Sequence, residues 1–194
     1  DQIESAGIKI HHLDIGGGIG IRYTDETPPE FSAYAQAIRA KLTGRKFKLV
    51  MEPGRALVGN AGLLLTTVEY LKHGETRNFA IVDAAMNDLM RPALYDAWHD
   101  ILPVKTREES AQVYEVVGPV CESGDFLGHD RSLALRQGDL LAILSAGAYG
   151  MSMSSNYNTR PRVAEVMVDG GKVHLVRERE IVQQLFATEQ VLPS

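Results

Sequence analysis

The single cysteine of the chain lies in Cys121-Glu122-Ser123-Gly124-Asp125, after a Gly118-Pro119 turn and beside two carboxylates. A structural cysteine usually sits among apolar residues, whereas a thiol carried to the rim of a sheet among polar groups is placed for chemistry. Taken alone, the run also fits a half-buried loop cysteine. Gly16-Gly17-Gly18 follows an apolar run, so backbone amides there can approach an anion without side-chain obstruction. The alternative is a tight turn, and the spacing is not a dinucleotide fingerprint, whose third glycine would fall at Ile21. Glu52-Pro53-Gly54-Arg55 closes another apolar run with charge of both signs, although Arg55 equally suits a surface salt bridge. In Met90-Arg91-Pro92-Ala93-Leu94-Tyr95 the arginine can grip a carboxylate through two parallel hydrogen bonds, and Tyr95 offers a hydroxyl. A loop with an exposed Arg91 and a packed Tyr95 is the plainer reading. Small residues around Tyr149, in Ser145-Ala146-Gly147-Ala148-Tyr149-Gly150, let its ring lie against a flat ligand.

Other chemistries find little support. His11 and His12 precede Asp14, but strand neighbours point to opposite faces and cannot chelate one ion, so no metal is expected. The remaining histidines are scattered, G-x-S-x-G is absent, and Ser154 to Arg162 reads as a polar rim loop with a structural role.

These residues need elements to carry them. Ile8 to Ile15 and Phe47 to Met51 read as buried strands that end at the two glycine motifs. Between them, Phe31, Tyr34, Ala35, Ile38 and Leu42 recur at helical spacing, with Pro28-Pro29 at the start and Gly44 at the stop. Strand, helix, strand at this spacing is a βαβ unit of a parallel sheet. Ligands of parallel α/β folds bind beyond the carboxyl ends of the strands, so both glycine motifs face one pocket, with a phosphate as the expected occupant. Farther on, Leu63 to Tyr70, Asn78 to Val82, Val113 to Val117, Asp139 to Leu144, Val163 to Val168 and Lys172 to Val176 are β-rich. Asp169-Gly170-Gly171 forms a hairpin connection, and Arg177 to Ala187 has a helical period. The expected fold is therefore α/β over residues 1–60, followed by an antiparallel β domain over 61–194.

Composition bounds the function. A formal charge of −5 without a basic stripe argues against nucleic-acid binding. Apolar stretches such as Ala61 to Val68 are too short to span a bilayer, so no membrane partner is expected. One cysteine excludes an intrachain disulfide framework and favours the cytoplasm. The chain starts at Asp1-Gln2-Ile3 without an initiator Met, as if it were part of something longer.

Gly16-Gly17-Gly18, Glu52-Pro53-Gly54-Arg55, Met90 to Tyr95, Cys121 to Asp125 and Gly147-Ala148-Tyr149-Gly150, in this order, resemble the fold-type III pyridoxal-phosphate decarboxylases. Within that family they are most similar to the branch acting on diaminopimelate. Each motif is weak singly, but the ordered set spans nearly the whole chain. The resemblance implies the last βα units of a TIM-like barrel, then a C-terminal β domain of the alanine racemase/decarboxylase type, in a homodimer with shared active sites. It implies pyridoxal 5′-phosphate as cofactor and conversion of meso-2,6-diaminopimelate to L-lysine, the last step of lysine biosynthesis.

The roles implied are these. Gly16, Gly17, Gly18 and the Pro53-Gly54-Arg55 backbone hold the phosphate. Glu52 keeps the pyridine nitrogen protonated, which strengthens the ring as an electron sink. Arg55, Arg91 and Tyr95 bind the distal end of the substrate, Glu122 takes its distal amine, and Tyr149 touches both cofactor and substrate. Cys121 is the proton donor, supplied from the partner subunit. Free cysteine thiols titrate near about 8.5, so they hold a proton at neutral pH yet can release it. Relatives acting on ornithine have Asp after the Cys and no distal carboxylate to pair; here Glu122 and Arg91 favour a carboxylate-ended substrate. Carboxynorspermidine, ornithine or arginine decarboxylases and a non-catalytic relative are the alternatives. The family's Schiff-base lysine lies in a preceding barrel half that has no counterpart here. The chain is thus expected to be the C-terminal half of the enzyme, inactive alone.

Overall fold

The computed structural model describes residues 2–193; Asp1 and Ser194, the outer bounds of the two expected segments, lie outside the described residues. A short helix α1 (Gln2–Ser5) precedes strand β1 (His12–Asp14). Helix α2 (Phe31–Lys41) then leads to strand β2 (Lys48–Val50), which pairs parallel with β1 in the register His12↔Lys48 to Asp14↔Val50. This is the βαβ unit read from the sequence, with strands shorter than the apolar runs. Helix α3 (Gly54–Val58) starts inside the second glycine motif, and a 3₁₀ turn at Gly59–Ala61 ends it.

The rest is dominated by a six-stranded sheet. Its strands are β3 (Leu64–His73), β4 (Asn78–Val82), β5 (Ile101–Pro103), β6 (Gln112–Val117), β7 (Phe126–Leu133) and β8 (Leu140–Ile143), in the order β5-β8-β3-β4-β6-β7. The expectation of an antiparallel domain needs correction, because β4 and β6 run parallel while the other neighbours are antiparallel. The cause is the connection between them. Residues 83–111, which include helix α4 (Arg91–Tyr95) and β5, cross over and return in the same direction, as parallel pairing requires. The outer strands β5 and β7 also lie against each other, so the sheet curls most of the way round.

Alternation along these strands buries one face. Val68, Val82, Val116, Leu127, Leu141 and Ile143 are fully enclosed and form one core with Ile101, Leu89 and Tyr114. Beyond the sheet, β9 (Glu165–Asp169) and β10 (Lys172–Arg177) form the expected hairpin, joined through Gly170 and Gly171. The helix expected over Arg177 to Ala187 is reduced to one turn, α5 (Val182–Leu185), because β10 runs to Arg177 and the chain is extended at Ile181.

Candidate functional site

The two glycine-bearing strand ends meet. The Ile15 N–H donates to the Val50 carbonyl (3.1 Å) and the Glu52 N–H to the Gly16 carbonyl (2.9 Å), extending the β1–β2 pairing into both motifs. Asp14 Oδ1 accepts from the Gly16 N–H (2.7 Å). Gly16 and Gly18 have φ of 67° and 91°, a region that side chains avoid. A Cβ on Gly17 would stand 2.5 Å from the Glu52 carbonyl oxygen. Only glycine permits this approach, and the result is a bare backbone rim beside Glu52. The Glu52 carboxylate is exposed and has no hydrogen-bond or ion-pair partner among the described residues.

From the second residue of α3, the Arg55 guanidinium lies 5.6 Å from the centre of the Tyr149 ring. Tyr149 arrives from the loop after β8, where it and Ser145 have φ of 62° and 59°. A left-handed tyrosine costs on the order of 1–3 kcal/mol and persists only when its surroundings fix it. Here they do. The Ala146 N–H donates to the Gly62 carbonyl (2.8 Å), the Gly147 N–H donates to the Gly59 carbonyl (3.1 Å), and Asn60 Nδ2 donates to Ser145 Oγ (2.7 Å) and to the Arg22 carbonyl (3.0 Å). Gly147 packs so closely on the Val58 carbonyl that a Cβ would overlap it.

Arg91 is buried, not an exposed loop residue, and Tyr95 is the exposed member of the pair. The plainer reading of that motif is thus reversed. Arg91 Nη1 donates to Tyr23 Oη (2.9 Å) and lies 3.0 Å from His99 Nε2. The Tyr23 turn is closed by Glu26, whose carboxylate accepts from the Thr24 and Tyr23 N–H groups (2.8 and 3.0 Å), which holds its pKa down to about 2. Burial, and then the nearby Arg91 and Arg131 charges, push His99 down.

Cys121 and Glu122 stand exposed on the loop between β6 and β7. Asp125 seats that loop from beneath: its buried carboxylate accepts from the Met86 N–H (2.6 Å) and the Val120 N–H (2.8 Å). Burial raises the pKa of Asp125 against the pull of those two bonds. Tyr157 donates its hydroxyl to Glu122 Oε2 (3.2 Å), and the carboxylate raises the phenol's pKa. The polar loop carrying Tyr157 is docked by Arg160, which donates to Asn87 Oδ1 (2.8 Å) and to the Asp83 carbonyl (2.6 Å). Among the described residues, no hydrogen bond or ion pair joins Cys121 or Glu122 to Glu52, Arg55, Arg91 or Tyr149. Tyr23 and His99 escaped the sequence reading as site residues, because Tyr23 meets Arg91 and His99 meets Leu144 across long stretches of chain. Tyr157 was read only within the polar rim loop, without its partner Glu122.

The buried core is thus that of a curled sheet whose connections carry a thiol, a helix-borne arginine and a pinned tyrosine beside a glycine-lined strand end. The family profile described as "pyridoxal-dependent decarboxylase, C-terminal sheet domain" matches residues 13–147. The chain belongs to that family. Over all 194 residues it is 61% identical to the diaminopimelate decarboxylase of Vibrio cholerae, of which it covers 46%. A solved structure of diaminopimelate decarboxylase from Helicobacter pylori complexed with L-lysine is 41% identical. It superposes with a TM-score of 0.89 over 97% of this chain and 47% of its own. A crystallised protein of Aquifex aeolicus gives 46% identity and a TM-score of 0.93 over 98% of this chain and 48% of its own. The chain therefore spans about half the length of these relatives. Among the described residues, no helix is long and apolar enough to cross a membrane, and no group of three or more His, Cys, Asp or Glu side chains could hold a metal ion.

Proposed function

We propose that the chain is the C-terminal half of a pyridoxal-phosphate-dependent enzyme that decarboxylates meso-2,6-diaminopimelate to L-lysine and CO₂. The observation that carries this reading is the convergence of the two glycine-bearing strand ends where Arg55 faces Tyr149, in a chain 61% identical to a diaminopimelate decarboxylase. Residues 1–60 are the last βα units of a TIM-like barrel and 61–194 the β domain. The enzyme is a homodimer with shared active sites. A single exposed thiol suits a reducing, cytoplasmic setting.

The residues fit the cofactor. The open glycine backbone of Gly16 to Gly18 and Gly54 leaves room for a phosphate, since a Cβ at Gly16, Gly18 or Gly54 would meet nothing within 4 Å. The Gly17, Gly18 and Arg55 amides are the donors that suit it, the Gly16 and Gly54 N–H groups being bonded to Asp14 and to the Glu52 carbonyl. Glu52, unpaired within the described residues, is available to keep a pyridine nitrogen protonated. When bound, pyridoxal phosphate supplies an electron sink for the pair left by departing CO₂. The lysine that anchors it belongs to the half of the enzyme outside this chain.

The substrate's distal carboxylate is read by Arg55, Arg91 and Tyr95, and its distal amine by Glu122. Both hydrogen bonds of Arg91 leave from Nη1, so its Nε–Nη2 edge, the fork that grips a carboxylate in two bonds, has no partner among the described residues. Tyr149 packs against cofactor and substrate. Cys121 Sγ delivers the proton to the carbon that has lost CO₂, reaching into the partner's pocket from a loop seated by Asp125.

The test uses the full-length protein with pyridoxal phosphate, following CO₂ release from meso-diaminopimelate. Release with L-lysine as product is expected; none from this substrate overturns the reading. Cys121→Ala lowers kcat by about 10²–10⁴-fold, the usual worth of a positioned acid, while cofactor absorbance persists. Unchanged turnover would remove the proton-donor role.

A further inference from the structure

We propose that His99, assisted by Tyr23, is a positioning residue for Arg91, its neutral imidazole accepting one guanidinium N–H so that the opposite edge meets a ligand carboxylate. This rests on the reading of Arg91 as the reader of the distal carboxylate. His99 is fully buried, and its two ring nitrogens have unlike partners. Nδ1 lies 2.9 Å from the Leu144 carbonyl, which can only accept, and Nε2 lies 3.0 Å from Arg91 Nη1, which can only donate. Those partners assign a single tautomer, with the proton on Nδ1 and the lone pair on Nε2.

The other side of the guanidinium is fixed as well. Tyr23 Oη accepts from Nη1 at 2.9 Å, its ring lies 5.2 Å beneath the guanidinium carbon, and the same ring packs edge-on against His99 at 5.5 Å. Both bonds fall on one nitrogen, and a planar guanidinium held at one corner and beneath its face presents a fixed Nε–Nη2 edge. A bidentate grip needs that alignment, since its two bonds form only when both planes coincide. Leu144 immediately precedes the pinned loop of Tyr149, so His99 also ties the arginine to the strand end that carries the tyrosine.

The arrangement works only with a neutral ring. A proton on Nε2 would set two donors face to face at 3.0 Å and add a charge beside Arg91. The charged groups around the imidazole are Arg91 of α4, Arg131 of β7 and the adjoining Asp100, with the Tyr23 phenol on the remaining side. Burial first, and then the two arginine charges, keep the proton off.

The test compares ligands that differ in the carboxylate, using the full-length protein loaded with pyridoxal phosphate. L-lysine carries a carboxylate at one end and cadaverine carries none. In His99→Asn, which keeps a donor toward Leu144 but loses the acceptor toward Arg91, KM for meso-diaminopimelate rises roughly tenfold. Most of the loss falls in KM rather than kcat. L-lysine inhibition weakens by a similar factor, and cadaverine inhibition shifts less than about twofold. His99→Gln places an acceptor where Nε2 was and brings L-lysine back to within about threefold of wild type. Tyr23→Phe, which removes only the hydroxyl, weakens L-lysine roughly threefold and carries the test if His99→Asn fails to fold. Lysine affinity of the wild type falls at acid pH, and His99→Gln flattens that limb. Equal weakening of lysine and cadaverine, or lysine inhibition untouched in His99→Asn and Tyr23→Phe, overturns the proposal. If the wild type releases no CO₂, the decarboxylase reading fails first; calorimetric binding of lysine against cadaverine then decides on His99, and no preference for lysine overturns it too.

Discussion

The βαβ unit and the curled sheet hold themselves together differently. Along α2 no residue is fully buried, and Leu49 and Val50 of β2 are exposed. An apolar hollow of about 320 Å³ remains between Ile15 and Tyr34, Ile38 and Leu42. The sheet, in contrast, encloses Val68, Val82, Val116, Leu127, Leu141 and Ile143 completely. Both regions carry site residues, yet only the sheet has a core to fix them. The glycine motifs of the first region owe their placement to backbone pairing and to the contacts that Gly59, Asn60 and Gly62 make with the Tyr149 loop. The sheet is the scaffold, and the βαβ unit is held against it along that seam and through Tyr23, which bonds Arg91 and packs on His99.

The largest effect expected from this contrast is in the sheet. Leu127→Ala removes a fully enclosed side chain and costs about 2–5 kcal/mol, measured by urea denaturation. A cost below that of an exposed substitution would mean the sheet is not the scaffold. Gly147→Ala attacks the seam. Its Cβ overlaps the Val58 carbonyl, a backbone atom that cannot swing aside, so the loop must shift at about 1–3 kcal/mol. In the full-length enzyme that shift also moves Tyr149, and catalysis falls more than stability does. Native activity in Gly147→Ala would show that the seam does not position the tyrosine.

How much of this was legible in the sequence follows the same divide between local and long-range order. β4 stands where the β-rich run Asn78 to Val82 was read, and the hairpin turns where Gly170-Gly171 predicted. The strand ends at Gly16 and Glu52 were legible because glycine runs mark them locally. β7 was not: Gly128, His129 and Asp130 interrupt its apolar pattern, Asp130 takes φ of 52°, and the pairing with β6 shifts register there. β5 escaped because it is short, lies at the end of the strand order and ends at Pro103. His99 read as one of several scattered histidines, since its partners Arg91 and Leu144 are 8 and 45 residues away. Arg91 was singled out by its motif, but its burial depends on a crossover that no local pattern encodes.

A smaller, pH-dependent effect reads the sheet side of the seam. The pKa of His99 is depressed in the folded state, so the unfolded chain binds a proton there more readily. Stability from this residue is complete above the unfolded value of about 6.5 and is lost as the pH falls below it toward the folded value. The slope in that window is at most about 1.4 kcal/mol per pH unit. Denaturant midpoints measured from neutral pH downward should fall faster for wild type than for His99→Gln. Parallel lines would mean the imidazole is not held neutral.

The smallest effect concerns α2 and turns on what covers it. Ile38 is half-buried against the apolar hollow, so Ile38→Ala in the 194-residue chain should cost less than about 1 kcal/mol, because little surface is removed from an enclosed site. In the full-length enzyme the same substitution should cost about 2–5 kcal/mol, because a completed barrel packs against the apolar stripe of that helix. The difference between the two measurements is the quantity of interest, since errors common to both cancel. A small cost in both settings would make α2 a solvent-facing helix and remove the barrel reading of residues 1–60. A large cost already in the short chain would mean the βαβ unit has a core of its own and does not depend on the seam at Gly147.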